Sequence, residues 1–166
     1  MKQNISSHQQ TKIISMRVGG KILAEVRDAI IAAIVPGVRF EALEELAQAE
    51  LKKRGAQPSF AMVPGYHWAT CITKNEGCVH GIPHNKVVDF GDIITIDVGA
   101  YFQGYHTDTS ITVCAGTCSK RVMRFIETGK TSVYAAISKV RPGVSVFELS
   151  TAMQKVVEGA GYRSVY

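Results

Sequence analysis

No stretch of this sequence approaches the ~20 consecutive apolar residues that a membrane-spanning helix needs. The first eleven residues, Met1 to Thr11, are polar and lack the apolar segment of a secretory signal. They are expected to form a flexible leader (1–11), with one globular domain over 12–166 and a cytoplasmic location. Cysteine is scarce: Cys71, Cys78, Cys114 and Cys118 are the four present, and none forms a Cys-x-x-Cys pair. Cys114-Ala-Gly-Thr-Cys118 only loosely matches a metal or redox clip, and reduced, partly buried thiols are the expectation for a cytoplasmic chain. The net charge of +5 comes without an aromatic-studded basic stripe, which argues against a specific nucleic-acid binder. Lys52-Lys53-Arg54 is accounted for by the dipole of a helix it would end, and weak attraction to RNA-rich partners remains open.

What is present begins with a repeat. Pro36-Gly37-Val38 recurs as Pro142-Gly143-Val144, an offset of 106. At the same offset Leu43 meets Leu149, Ala47 meets Met153, Leu51 meets Val157 and Gly55 meets Gly161. The shared apolar positions fall on one helical face, and each final Gly sits where a left-handed helix terminus belongs. A helix is also predicted before each Pro-Gly, over 12–35 and 119–140. After the first unit come predicted strands at 69–73, 93–98 and 110–113, separated by Gly, Pro, Asn and Asp. After the second there are five residues. If the repeat is real, the second unit lacks a sheet, and the first sheet keeps an unpaired edge.

The stretch Gly91 to Val113, GDIITIDVGAYFQGYHTDTSITV, is a β-hairpin candidate. A turn centred on Phe102-Gln103 would set Asp97 directly across from Asp108; a three-residue loop would shift the register by one. Asp97 lies within the apolar run Ile93 to Val98, where a carboxylate is costly unless paired, hydrogen-bonded or metal-bound. No Lys or Arg occurs between Lys86 and Lys120, so local pairing is not on offer. Facing carboxylates could share a proton, find a distant cationic partner or bridge a divalent cation; strand-end Asp residues facing solvent are the alternative. His80, in Cys78-Val-His-Gly-Ile-Pro83, is either a structural turn residue or an imidazole presented to a cleft. His106 shares the face of Asp108 by alternation.

Taken together, Thr73-Lys-Asn-Glu76, Val79-His-Gly-Ile-Pro83, Gly91-Asp-Ile-Ile-Thr-Ile-Asp97-Val98 and Gly104-Tyr-His-Thr-Asp108-Thr-Ser110 resemble type I methionine aminopeptidases. The match is dense from Phe60 to Val113 and weaker through both helical units. It implies an α+β pita-bread fold, here the first half plus the helices of the second, with an antiparallel sheet covered by helices and the chain stopping before the second sheet. The repeat is what such a fold would produce. The resemblance further implies two divalent metal ions (Co, Mn, Fe or Zn), with Asp97 a ligand of one and Asp108 bridging both. His80 would be the catalytic histidine that contacts substrate, and Phe60, Tyr66 and Cys71 would line a methionine pocket, although Val63 and Trp68 depart from the commonest forms. The implied activity is removal of N-terminal methionine from nascent peptides by a metal-bridging water, with ribosome association possible, no membrane and no specific nucleic acid. The family's further His ligand, second substrate His and two late Glu have no counterpart here. A non-catalytic remnant or partial subunit acting as a binding protein is therefore the second reading. A third is a Cys-His hydrolase using Cys78 or Cys71 with His80.

Overall fold

The computed structural model describes residues 6–164, which divide between Thr117 and Cys118 into two compact units. The first opens with helix α1 (Ser7–Ala33). Its start is fixed by a capping box: the Ser6 side chain accepts from the Gln9 backbone N–H while the Gln9 side chain returns to the Ser6 N–H. The helix therefore begins five residues ahead of the expected Lys12, and residues 7–11 of the expected leader belong to it; residues 1–5 of that leader lie outside the described residues. Pro36 follows the helix, and α2 (Phe40–Lys53) comes next, with Glu41 in its first turn and Lys52 and Lys53 in its last, each complementing the local dipole.

Four antiparallel strands follow: β1 (Gln57–Pro58), β2 (Thr70–Lys74), β3 (Ile93–Phe102) and β4 (Tyr105–Cys114). β3 is central. β4 pairs along one edge, and β2 and β1 share the other, β2 against Ile94–Val98 and β1 against Ala100–Tyr101. The β3–β4 connection is a two-residue turn of Gln103 (φ +48°) and Gly104 (φ +87°), the doubly positive geometry that matches strand twist. Its place corrects the expected register: Asp97 pairs with Ser110, and Asp108 lies opposite Gly99.

Alternation along β3 sends Ile94, Ile96, Val98 and Ala100 toward the helices, all fully buried. They meet Leu23, Val26 and Ile30 of α1 and Phe40, Leu43, Ala47 and Leu51 of α2 in one core. Burying a side chain of this size contributes about 1.5–3 kcal/mol, so the helical layer holds the sheet flat against one side and leaves the other face available for chemistry. The Ser15 hydroxyl on α1 also donates to Gln103 Oε1 at 3.1 Å, fastening the hairpin tip.

The second unit is a pair of helices, α3 (Lys120–Ile137), capped by Ser119, and α4 (Val146–Gly159), whose Ser145 and Glu148 form a second capping box. Arg124 donates to the Ala160 carbonyl at 3.3 Å, and Phe125 meets Tyr162 edge to face at 5.2 Å. Among the described residues of this unit only Ser132 is buried. The repeat is visible in the backbone: each pair has a Pro-Gly between its helices, and Gly55 (φ +70°) and Gly161 (φ +85°) follow the second helix in the same left-handed conformation. Cys71 and Cys78 are free, whereas Cys114 and Cys118 are disulfide-bonded, contrary to the expectation of reduced thiols. Gly116 (φ +82°) turns the chain between the latter two.

Candidate active site

The face of the sheet turned away from the helices carries the residues singled out in the sequence. Cys71 of β2 is opposite Asp97 of β3, and Asp97 is opposite Ser110 of β4. Asp108, two residues from Ser110, is thus a diagonal neighbour of Asp97 on the same face. The two carboxyls are close enough to hydrogen-bond. Asp97 is pushed up to about 6, first by burial, then by the negative charge of Asp108 and by the carboxyl–carboxyl hydrogen bond; His80 pulls it the other way. Two like charges in this setting cannot both be free of a proton without cost, so below about pH 6 Asp97 holds a proton that a cation could displace.

The donor set is oxygen-only, which suits hard or borderline divalent ions. No group of three or more His, Cys, Asp or Glu suitable for a metal forms among the described residues. Asp97 and Asp108 therefore fit one side of a metal site and do not enclose an ion by themselves.

His80 sits in an exposed loop where Val79 (φ +38°) and His80 (φ +52°) both adopt left-handed conformations that bulky side chains rarely take. The loop is held by the Ile72 N–H donating to the Gly81 carbonyl at 2.8 Å. A Cβ at Gly81 would come within 2.1 Å of the Ile72 oxygen, so only glycine permits this approach. The strained pair is thereby pinned beside β2, which brings the imidazole into electrostatic range of Asp97.

Phe60 lies in a 3₁₀ turn (Phe60–Met62) and packs over Gly99: a Cβ there would meet the Phe60 ring at 2.7 Å. Since Gly99 is opposite Asp108, the missing side chain leaves room for an aromatic wall next to the carboxylates. Tyr66 donates its hydroxyl to the Thr70 carbonyl at 2.7 Å and contacts the Cys71 sulfur at 3.1 Å. With the Tyr66 proton committed to Thr70, the Cys71 thiol is the donor of that second contact. Burial pushes both groups up, Tyr66 and Cys71 alike, and Cys71 is raised despite the hydroxyl. A thiol whose pKa is raised by burial is a poorer nucleophile, which argues against Cys71 in the Cys-His hydrolase reading.

Three supporting residues were not anticipated. Glu44 of α2 is buried and accepts from the Ala69 N–H (2.6 Å), the Thr70 N–H (3.0 Å) and the Thr70 hydroxyl (2.5 Å), fixing the start of β2 and so the placement of Cys71. Ser59 meets His106 Nδ1 at 2.7 Å, tying the segment that carries Phe60 to the strand that carries Asp108. Gly99 had a readable signal, an isolated glycine inside an apolar strand, which often marks a close approach. The Ser59–His106 pair had none, being 47 residues apart.

A sheet backed by helices in this arrangement is shared with known proteins. The pattern defining metallopeptidase family M24 matches residues 15–166, and the chain belongs to that family. Within it the similar proteins are methionine aminopeptidases. Methionine aminopeptidase 1 of Bacillus subtilis is 35% identical over 150 residues, covering 90% of this chain and 60% of the relative. The Aquifex aeolicus methionine aminopeptidase is 35% identical over 168 residues, covering 97% and 65%. The crystal structure of the Thermotoga maritima methionine aminopeptidase superposes with a TM-score of 0.90 at 32% identity, covering 96% of this chain and 64% of that one. The prolidase of Pyrococcus furiosus shares the fold, with a TM-score of 0.80 at 23% identity and 43% of its own chain covered. The architecture is thus the expected pita-bread one, and the chain spans under two thirds of the length of the methionine aminopeptidases named here.

Proposed function

We propose that this chain carries the substrate-facing carboxylate half of a metal-dependent aminopeptidase that removes N-terminal methionine by hydrolysing the first peptide bond. The observation that carries the reading is the Asp97–Asp108 pair: two carboxyls on one sheet face, Asp97 raised to about 6 by burial and by the charge of Asp108. In this reading Asp97 and Asp108 are the residues that hold divalent metal ions. When bound, such ions lower the pKa of water and polarise a carbonyl. His80, positioned by the strained loop, hydrogen-bonds the substrate next to the scissile bond. Phe60, Tyr66 and Cys71 wall the pocket that takes the methionine side chain, with Phe60 excluding water from the sheet beside Asp108. Two ions drawn from Co, Mn, Fe or Zn, a cytoplasmic setting and association with the ribosome through the chain's excess positive charge complete the proposal. The methionine aminopeptidases among the relatives support it over a non-catalytic remnant.

Isothermal titration with Mn²⁺ tests it. Binding at micromolar affinity or tighter is expected for the 166-residue chain, lost in both Asp97→Asn and Asp108→Asn. Binding that survives either substitution, or none at all, would sink the assignment of these two carboxyls.

A further inference from the structure

The two helical pairs differ most on their solvent side. At the offset of 106, the buried positions of α2, Phe40, Leu43, Ala47 and Leu51, correspond to Val146, Leu149, Met153 and Val157 of α4. A different face of α4, with Glu148, Ala152 and Lys155 at helical spacing, lines a groove of about 500 Å³ within the α3–α4 unit. Met153 and Lys155, two positions apart at ~100° per residue, point to roughly opposite sides of the helix. In the first pair the counterparts of the groove residues Ser138, Arg141 and Lys155 are Ala32, Val35 and Ala49; all three are exposed and none belongs to the core. The groove therefore lies on the side of the pair that the repeat leaves in water.

Its walls join Ala135, Ala152 and the ring of Phe147, which is 77% exposed, to three cations, Lys139, Arg141 and Lys155. Arg141 is engaged, with Nη2 at 3.0 Å from Glu148 Oε2. Among the described residues Lys139 and Lys155 have no ion-pair partner. The first pair has nothing comparable. Ala33, Val35 and Ala49 stand where the cations do, Glu41 stands in place of Phe147, and the larger, half-buried Leu46 stands in place of Ala152. An exposed ring and two uncompensated ammonium groups in one concave site are complemented by an apolar side chain flanked by carboxylates. A nucleic-acid strand fits less well. Glu148 puts a carboxylate in the wall, and Phe147 is the one aromatic lining the groove, whereas strand binders stack successive bases on several. We infer that this groove is a docking site for an acidic segment of a partner protein that carries an apolar anchor. The anchor seats against Phe147, Ala135 and Ala152, and its flanking carboxylates pair with Lys139 and Lys155. The inference stands apart from the aminopeptidase reading, because none of these residues belongs to the sheet face.

Fluorescence anisotropy of labelled probes with the 166-residue chain tests it. The probes are short synthetic peptides with one leucine, phenylalanine or tryptophan flanked on both sides by glutamates, a matching set with glutamine for glutamate, and oligo(U). At least one acidic peptide should bind at micromolar affinity, more weakly as salt is raised, and its glutamine version about tenfold or more less tightly. Lys139→Glu, Lys155→Glu and Phe147→Ser should each weaken the acidic peptide by about tenfold or more. Met153→Gln, on the opposite side of α4, should leave it unchanged; circular dichroism establishes that the variants stay helical. No binding by any acidic peptide, equal binding of the glutamine set, tighter binding of oligo(U), or a loss in Met153→Gln with none in Lys155→Glu overturns the proposal.

Discussion

The α1–α2 and α3–α4 pairs share a layout of helix, Pro-Gly, helix and left-handed Gly, but differ in what lies against them. The first pair buries its apolar stripe on a sheet and supplies, with that sheet, most of the buried hydrophobic core among the described residues. On the second, Val133, Ile137, Val146 and Met153 are exposed. Charge divides the same way: residues 118–166 hold eight of the 19 basic and three of the 14 acidic side chains, so the +5 of the chain resides there while residues 1–117 are neutral. A helix face of given composition thus becomes a core or an interface according to its neighbours, and propensity and capping alone do not decide which.

The sharpest way to break the comparison is to truncate matched positions. Phe40→Ala should destabilise the first unit by about 3–5 kcal/mol, whereas Val146→Ala, its exposed counterpart, should change the free energy of urea unfolding by less than ~0.5 kcal/mol. Comparable losses at both sites would mean that α4 is already packed. Gly99→Ala comes next, because its new methyl meets Phe60; about 1–3 kcal/mol is expected from overpacking, with amide exchange in α4 unaltered. A change confined to α4 would contradict the packing described for Phe60.

A third contrast is in pH. Asp97 binds its proton more tightly folded (about 6) than at its ordinary 3.8. Its contribution is therefore fully present below about 4 and lost as pH rises through about 6. Acidification from pH 7.5 to 5 should stabilise the first unit by about 1 kcal/mol once solvent screening of this half-exposed group is discounted. The carboxyls held low, among them Glu50 beside Arg54 and Asp92 beside Lys74, titrate below that window. The gain should vanish in Asp97→Asn and in saturating Mn²⁺; a gain that persists in both belongs to another group. An effect of similar size but local reach is at the caps: Ser6→Ala and Ser145→Ala should each cost about 1 kcal/mol of local helix stability, read from exchange in the first turns of α1 and α4. Unequal losses would show that the two capping boxes are not equivalent.

Much of this architecture could be read before any coordinates. The repeat, the apolar stripes and the carboxylate pair followed from period and spacing, because helices and strands impose those periods on buried residues. The register did not follow: Phe102-Gln103 and Gln103-Gly104 are both plausible turn centres from composition, and only the paired positive φ angles of the latter settle where Asp108 lies. The start of α1 was missed although Ser6 and Gln9 are a readable capping box, because the polar residues after them carry no apolar period. Ser59–His106 and Glu44 with Thr70 join residues 47 and 26 apart, and nothing local in a sequence announces such contacts.

The order of elements in the first unit has a consequence in time. α1 is finished at Ala33, but the strands that cover Leu23, Val26 and Ile30 are complete only at Cys114. At a synthesis rate of about 5–20 residues per second, the stripe waits on the order of ten seconds for its partner, whereas the β3–β4 hairpin, once made, can close within about 1–10 μs. During that wait the emerging chain offers a sticky helix to whatever is nearby, so its yield in the cell depends on how fast it is translated and on which chaperones reach it first.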